Sequence, residues 1–311
     1  MARATAGPHS GSPGGGFRTA AREQCLQNSD LVEQLLPQIT SDGMSVAQLK
    51  SARKDLLSVA LTCKTLRPSA IRLLWRRLDN LVPLLSLCPS FQLTGPRYKP
   101  IIDLRGIIGS GGWDLLDRHA AHVREIEYDP GNVSISPLVQ IRLAMRKCPL
   151  LPNLLRFRCI LGLAPDAQIL LFLSPSLLSV ETSFRTTNSS DAFVELLSNE
   201  CSGLLHLKLV HHLPTGISHF RQLRSLDLRD LFEPMTSTTF GMIAVLPELS
   251  SFTTDLRGWE GIDFDGLDAG SSFVRLAHLE LRTTPALSRQ HLPRLIPRIA
   301  TTTMRSLVIS P

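Results

Sequence analysis

Aromatic residues are scarce in this chain: three Trp, two Tyr and twelve Phe make up 5% of its 311 residues. A core organised around large rings is therefore not expected, and the abundance of leucine points to a repetitive aliphatic one. The six cysteines, at positions 25, 63, 88, 148, 159 and 201, form no C-x-x-C pair. They lie mostly within apolar runs and read as small buried hydrophobes in a reducing compartment. Long hydrophobic runs are missing as well. The longest, beginning at Ile169, is too short to span a bilayer and is broken by Pro175. Residues 1–24 are rich in Gly, Ser and Pro and lack the apolar segment of a secretory signal. Together these absences predict a soluble cytoplasmic or nuclear protein with no membrane contact.

The motifs of catalysis and ligand binding are also absent. Glycines 106, 109, 111 and 112 lack the ordered G-x-G-x-x-G and any following Lys-Ser or Lys-Thr, so a flexible connection before Trp113 is expected rather than a phosphate loop. The stretch Asp263–Gly270 clusters three acids without calcium-loop spacing and reads as an acidic turn. His119 with His122, and His211 with His212, have no Cys or acidic partner at ligand spacing. Cys63 sits on an apolar stripe, which argues against an ionised nucleophile. The sequons at Asn132 and Asn188 carry no weight without a secretory signal. No catalytic residue, no metal site and no cofactor is expected, and the chain reads as a non-enzyme.

The net charge is +6, and the excess lies at the front: residues 1–80 hold eleven Lys/Arg against six Asp/Glu. Either a solvated helix face or an acidic partner fits that excess. Nucleic acid is not the expected partner, because no aromatic stacking residues accompany these charges.

What is present begins with Asp55–Leu78, DLLSVALTCKTLRPSAIRLLWRRL. Apolar residues recur at Leu56, Val59 with Ala60, Cys63 and Leu66, and again at Ile71, Leu74 with Trp75, and Leu78, predicting two short helices. Asp55 stands at the expected N-cap, and Pro68 is placed for the first turn of the second helix. A third helix is expected where Leu31, Leu35 with Leu36, and Ile39 follow the capping residues Asn28, Ser29 and Asp30, with Pro37 shortening or kinking it. A polar connection, residues 40–54, joins it to Asp55. From Asn80 an apolar run predicts a further helix up to Phe91, followed by a loop.

A capped Leu-rich helix, a polar connection, D-L-L-x-x-A-L-x-C-K-x-L-R, a short helix and L-W-R-R-L together resemble an F-box of the kind common among fungal F-box-like proteins. The resemblance covers residues 28–78, and Leu57, Val59, Cys63, Lys64, Arg67, Leu74 and Trp75 carry its most specific part. It implies a substrate receptor of an SCF-type ubiquitin ligase, whose head binds the adaptor protein and, through it, a cullin. The adaptor-binding surface so implied comprises Leu31, Leu35, Ile39, Leu56, Leu57, Val59, Ala60, Cys63, Leu74 and Trp75. The residues themselves leave a second reading open, in which the stripes pack on the chain's own C-terminal region and the protein is a ligase-independent interaction scaffold.

Further on, L-x-x-L-x-L recurs from Val123, Pro152, Pro175, Leu204, Leu223, Leu249, Leu276 and Met304, at spacings of 29, 23, 29, 19, 26, 27 and 28 residues, with a poorer start at Lys99. These are the period and strand pattern of leucine-rich repeats. Segments such as WDLLDRHAAH, SPLVQIRLAMRKC, SSDAFVELLS and TSTTFGMIAVLP read as return helices. The repeat's usual Asn or Cys after the strand is absent, so no asparagine ladder is expected. The seventh positions, Asp129, Arg158, Glu181, Val210, Arg229, Asp255, Arg282 and Ser310, face outward on the concave sheet and alternate in sign where adjacent members are charged. The fifth positions would add Glu127 beside Arg156 and Lys208 beside Asp227. The less paired positions His206, Lys208, His278 and Glu280 are then the candidates for substrate contact. The last strand, ending at Ile309, has no cap, predicting a frayed terminal repeat or an incomplete gene product unless a partner covers it.

The expected fold class is α/β: a disordered tail (1–24), a three-helix F-box-like unit (28–78), a linking helix and loop (79–98), and an irregular leucine-rich-repeat solenoid of parallel strands plus return helices (99–311). The expected partners are the SCF adaptor, a cullin through it, and a protein substrate.

Overall fold

The computed structural model describes residues 46–94, 101–129, 141, 149–159, 169–183, 187–212, 214–231, 235–255, 273–282, 292–293, 296 and 303–310. The chain forms two compact units, Met1–Arg76 and Arg77–Pro311. It is an α/β protein with one nine-stranded parallel sheet.

The first unit contains α1 (Val46–Thr62) and α2 (Arg67–Arg76). Asp55 does not cap α1 but lies in its middle, and most of the expected polar connection is helical. The apolar stripe simply starts earlier: Leu49, Ala52, Leu56 and Ala60 are all buried, at the i, i+3, i+7, i+11 spacing of one helix face. A continuous stripe outweighs the preference of one Asp for a cap. Pro68 is the second residue of α2, where its missing N–H costs nothing. Leu56 packs with Leu66, Leu73 and Leu74. The helix expected over Leu31, Leu35 and Ile39 lies outside the described residues, as does the tail 1–24.

The second unit opens with β1 (Arg77–Leu78), α3 (Val82–Leu85), an antiparallel hairpin of β2 (Phe91–Thr94) and β3 (Ile101–Leu104), and α4 (Ser110–Ala120). The helix expected up to Phe91 is thus a single turn. Asn80 starts it by accepting a hydrogen bond from the Val82 N–H at 2.9 Å. The repeat expected from Lys99 is a hairpin strand pairing with β2, and the parallel sheet instead begins at Arg77. The glycine-rich stretch is not a flexible connection throughout, because α4 starts at Ser110, with Gly109 as its N-cap. Gly106 has φ +115°, which favours glycine, and a Cβ on Gly112 would meet Ile108 Cγ2 at 3.1 Å.

The sheet continues through β4 (Glu125–Glu127), β5 (Arg156–Cys159), β6 (Ser179–Ser183), β7 (His206–Val210), β8 (Ser225–Arg229), β9 (Ser251–Asp255), β10 (His278–Arg282) and β11 (Ser306–Ser310), each beside its predecessor. All eight strands expected from the leucine pattern are present. Two repeats are in a different phase, because Arg156 and Ser179 align with Glu125 and His206. Leu154 and Leu177 therefore take the first position, two residues later than the starts at Pro152 and Pro175. A two-residue slip keeps every side chain on its face but changes its cross-strand neighbours. Return elements include α5 (Thr187–Glu200) and α6 (Ser237–Ala244), the latter capped by Thr236, whose Oγ1 accepts from the Thr239 N–H at 3.1 Å. The segments 136–140 and 142–148 of the expected helix SPLVQIRLAMRKC and the acidic stretch 263–270 lie outside the described residues.

Backbone pairing is regular despite the uneven returns. The carbonyl preceding each strand accepts two N–H groups from the next: Arg124 O from Leu155 and Arg156, Leu155 O from Leu178 and Ser179, and so on to Ala277 O from Arg305 and Ser306, at 2.8–3.0 Å. Side chains reinforce the same end. Asn153 Nδ2 donates to Ala121 O at 2.9 Å, Ser174 Oγ to Pro152 O at 2.7 Å, Ser250 Oγ to Arg224 O at 3.0 Å and Thr303 Oγ1 to Leu276 O at 3.0 Å. The missing asparagine ladder is thus replaced by ties on the N-terminal side of the strands. Six aromatic residues form two groups. Phe172 lies 4.7 Å from Tyr128 and 5.1 Å from Phe157 between ring centroids, and Phe273 lies 5.5 Å from Phe240 and 6.0 Å from Phe252.

Candidate binding surface

One face of the sheet is core. Ile126, Phe157, Val180, Leu207, Leu226, Phe252 and Leu279 are buried in one register row, and the alternating residues form the outer face. Two outer rows carry the chemistry. The first runs Glu125, Arg156, Ser179, His206, Ser225, Ser251, His278, Ser306, and the second Glu127, Arg158, Glu181, Lys208, Asp227, Thr253, Glu280, Val308.

Ion pairs run along these rows. Arg158 lies 3.7 Å from Glu127 and 3.0 Å from Glu181, and Glu181 also holds Lys208 at 2.5 Å. Arg156 pairs with Glu125 at 3.7 Å, not with Glu127. The expected pairing of Glu127 with Arg156 fails because of the two-residue phase change at β5. Lys208 does stand beside Asp227 in register, yet its ammonium goes to Glu181, while Asp227 pairs along its own strand with Arg229 at 2.6 Å. Of the seventh positions, Arg158 and Glu181 are neighbours as expected. Asp129 and Val210 belong to the following row. Asp255 is buried, at 2% exposure, opposite Arg282.

The candidate substrate contacts divide accordingly. His206 and His278 are exposed in the first row and separated by Ser225 and Ser251. Lys208 and Glu280, singled out as less paired, both have an ion-pair partner: Glu181 for Lys208, and Arg282 at 3.6 Å for Glu280. Partial burial of the ring, with Arg156 and Arg224 nearby, pushes the His206 imidazole below its usual value. Burial pushes Asp227 above the usual carboxylate range, against the opposing pull of Arg229. At the β4–β6 end the outer face holds a depression of about 210 Å³ lined by Glu125, Glu127, Arg156, Arg158, Ser179 and Glu181, together with Arg77.

The buried thiols are poor nucleophiles. Burial pushes Cys201 up to about 12, and its Sγ donates to Ser174 O at 3.2 Å. Cys88 is likewise raised by burial and donates to Gly112 O at 3.1 Å. Among the described residues no cluster of three or more His, Cys, Asp or Glu is placed to hold a metal. No described helix is long and apolar enough to cross a membrane.

In the head, the implied adaptor surface is split. Leu56 and Ala60, two members of the implied adaptor-binding surface, face inward, at 0% and 7% exposure. Leu74 is half-buried against Leu56, and Val59, Cys63 and Trp75 are half-buried. Leu57 is 47% exposed, and one turn further Leu61, missed in the sequence, is 75% exposed. The i, i+4 spacing of two leucines, each one residue after a member of the buried stripe and so on its flank, was the signal for that pair. Leu31, Leu35 and Ile39 lie outside the described residues.

No protein-family model matches this chain, and no curated protein matches its sequence.

Proposed function

We propose that this chain is a non-catalytic substrate receptor of an SCF-type ubiquitin ligase. In this reading the fold is an F-box-like head followed by an irregular leucine-rich-repeat solenoid. The head binds the adaptor, which binds a cullin, and the outer face of the sheet holds a protein substrate. The receptor acts by raising the effective concentration of a substrate lysine near the ubiquitin-conjugating enzyme. The observation that carries the protein-binding half is the outer face itself: nine parallel strands in one sheet, at about 4.8 Å per step, give a surface roughly 38 Å wide. Its rows of Glu, Arg, Lys, His and Ser suit a polar protein surface better than a small apolar ligand. The ligase half rests on the resemblance over residues 28–78 and on exposed Leu57 and Leu61, large aliphatic groups that a partner helix would cover.

The second reading, a ligase-independent interaction scaffold, draws on Leu56. That side chain is fully buried with Leu66, Leu73 and Leu74, so part of the stripe needs no partner. Co-purification of the SCF adaptor separates the two, comparing wild type with Leu57→Asp, Leu61→Asp and a deletion of residues 28–78. Because Leu57 and Leu61 are exposed, neither substitution should unfold the head. Adaptor recovery with wild type and its loss in all three variants is expected. Equal recovery from all four proteins sinks the ligase reading and leaves the scaffold.

A further inference from the structure

The two outer rows of the sheet differ in which charges are already spoken for. On and beside the second row, opposite charges meet: Arg158 and Lys208 on Glu181, Arg229 on Asp227, Arg282 on Glu280. The first row is otherwise. From β6 to β11 it reads Ser179, His206, Ser225, Ser251, His278 and Ser306, with no acid, and the residues just before them add only Arg224 and Arg305 as charges. Both arginines and both histidines are exposed, and among the described residues none of these four side chains has an ion pair or hydrogen bond. Two acids at this margin are taken: Glu125, at the β4 end of the row, by Arg156, and Glu248, just before β9, by Arg275.

The free cations come in two equivalent units. His206 stands in register with Ser225, which follows Arg224, and His278 with Ser306, which follows Arg305. In each, the arginine N–H donates at 2.8 Å to the carbonyl before the histidine, Leu205 O or Ala277 O, so the backbone sets both arginines at the same point of the repeat. The units are three strands apart, about 14 Å at 4.8 Å per step. Ser225 and Ser251 lie between the histidines.

Taking the outer face as the substrate surface, as proposed above, and independently of the ligase assignment, we propose that this margin holds an acidic segment of a partner protein, a run of Asp and Glu laid across the strands. Carboxylates about four extended residues apart, at about 3.4 Å each, reach both arginines. Guanidinium groups and serine hydroxyls are donors suited to carboxylate oxygens. Nucleic acid is the poorer fit, because neither outer row has a Phe, Tyr or Trp on which a base could stack.

Fluorescence anisotropy of a labelled decaglutamate peptide tests this on the full 311-residue chain, in about 0.1 M salt, where exposed charges more than about 10 Å apart are screened. Wild type should bind the peptide. Arg224→Glu combined with Arg305→Glu should weaken binding about tenfold, since each reversal turns an attraction into a repulsion. Arg105→Glu combined with Arg118→Glu makes the same charge change at two other exposed sites and should weaken it less than about twofold. If either pair fails to fold, Arg224→Gln and Arg118→Gln replace them, with loss expected only in the first. No binding by wild type, equal loss in the two variants, or tighter binding of a deca-uridine RNA overturns the acidic segment. Ser251→Trp, which obstructs the row without changing charge, tests the surface separately, by comparing the proteins each variant retains from cell extract. Proteins lost by both Ser251→Trp and the Arg224/Arg305 variant should carry runs of Asp and Glu. Proteins lost only by Ser251→Trp would keep the outer face as the substrate surface and overturn its acidic class, whereas no loss in either would overturn the surface as well.

Discussion

The helical head and the parallel sheet make opposite use of the same residue, leucine. In the sheet an inward apolar residue alternates with polar ones on strand after strand, as a leucine pair on β7, β8 and β10, so each strand between the two edges is held by two neighbours, and from β4 to β10 the carbonyl before the strand ties down the next one. In the head one stripe runs down α1, and a single leucine, Leu56, lies at the centre of its packing. Among the described residues redundancy is therefore high in the sheet and low in the head. A local change in the sheet is backed by adjacent strands, while in the head it falls on the only cluster the described helices share.

The comparison breaks most directly at its two cores. Phe157 is buried beside Phe172, which also packs on Tyr128, and Phe157→Ala should cost about 3–5 kcal/mol, read from the urea midpoint followed by far-ultraviolet circular dichroism. Leu56→Ala should cost about 2–5 kcal/mol by the same cavity mechanism. Hydrogen exchange distinguishes the two. Leu56→Ala is expected to remove protection from residues 49–62 while residues 206–209 stay protected. Equal loss in both stretches would show that the head has no stability of its own.

The same contrast explains what was legible in the sequence. Eight strands were readable because a two-residue alternation repeated eight times leaves few ways to be wrong about which residues face inward. Register was less secure. Pro152-Asn153-Leu154-Leu155 offers two leucine phases that put the same residues on the same face, and only cross-strand pairing selects between them. Helix α1 was mistimed because Asp55 is a good cap in isolation, whereas Leu49 and Ala52 extend its stripe two further turns. β1 could not be read at all, since two residues carry no periodicity and its place depends on a strand 48 residues later. Among the candidate contacts, His206 and His278 kept their exposure. Lys208 and Glu280 did not keep their isolation, because the partner of a long charged side chain depends on register and rotamer rather than on spacing.

The finest test of the comparison lies on the sheet's outer face, where charge rather than leucine is at stake. Asp227 is held between two opposing influences: burial, the larger, raises its affinity for a proton, and the Arg229 hydrogen bond lowers it. The net direction is upward, so between the folded and unfolded values the folded chain binds a proton that the unfolded chain does not. Wild-type stability relative to Asp227→Asn should therefore rise as the pH falls from neutrality through the upper carboxylate range, and level off below the unfolded value. At neutral pH the two proteins should differ by less than about 1 kcal/mol, the usual worth of a partly exposed pair. Urea unfolding of both at several pH values measures the gap. A gap that moves toward the asparagine variant on acidification would mean that Arg229 outweighs burial. The outer face would then be held by its ion pairs much as the head is held by Leu56, and the contrast in redundancy would be confined to the core.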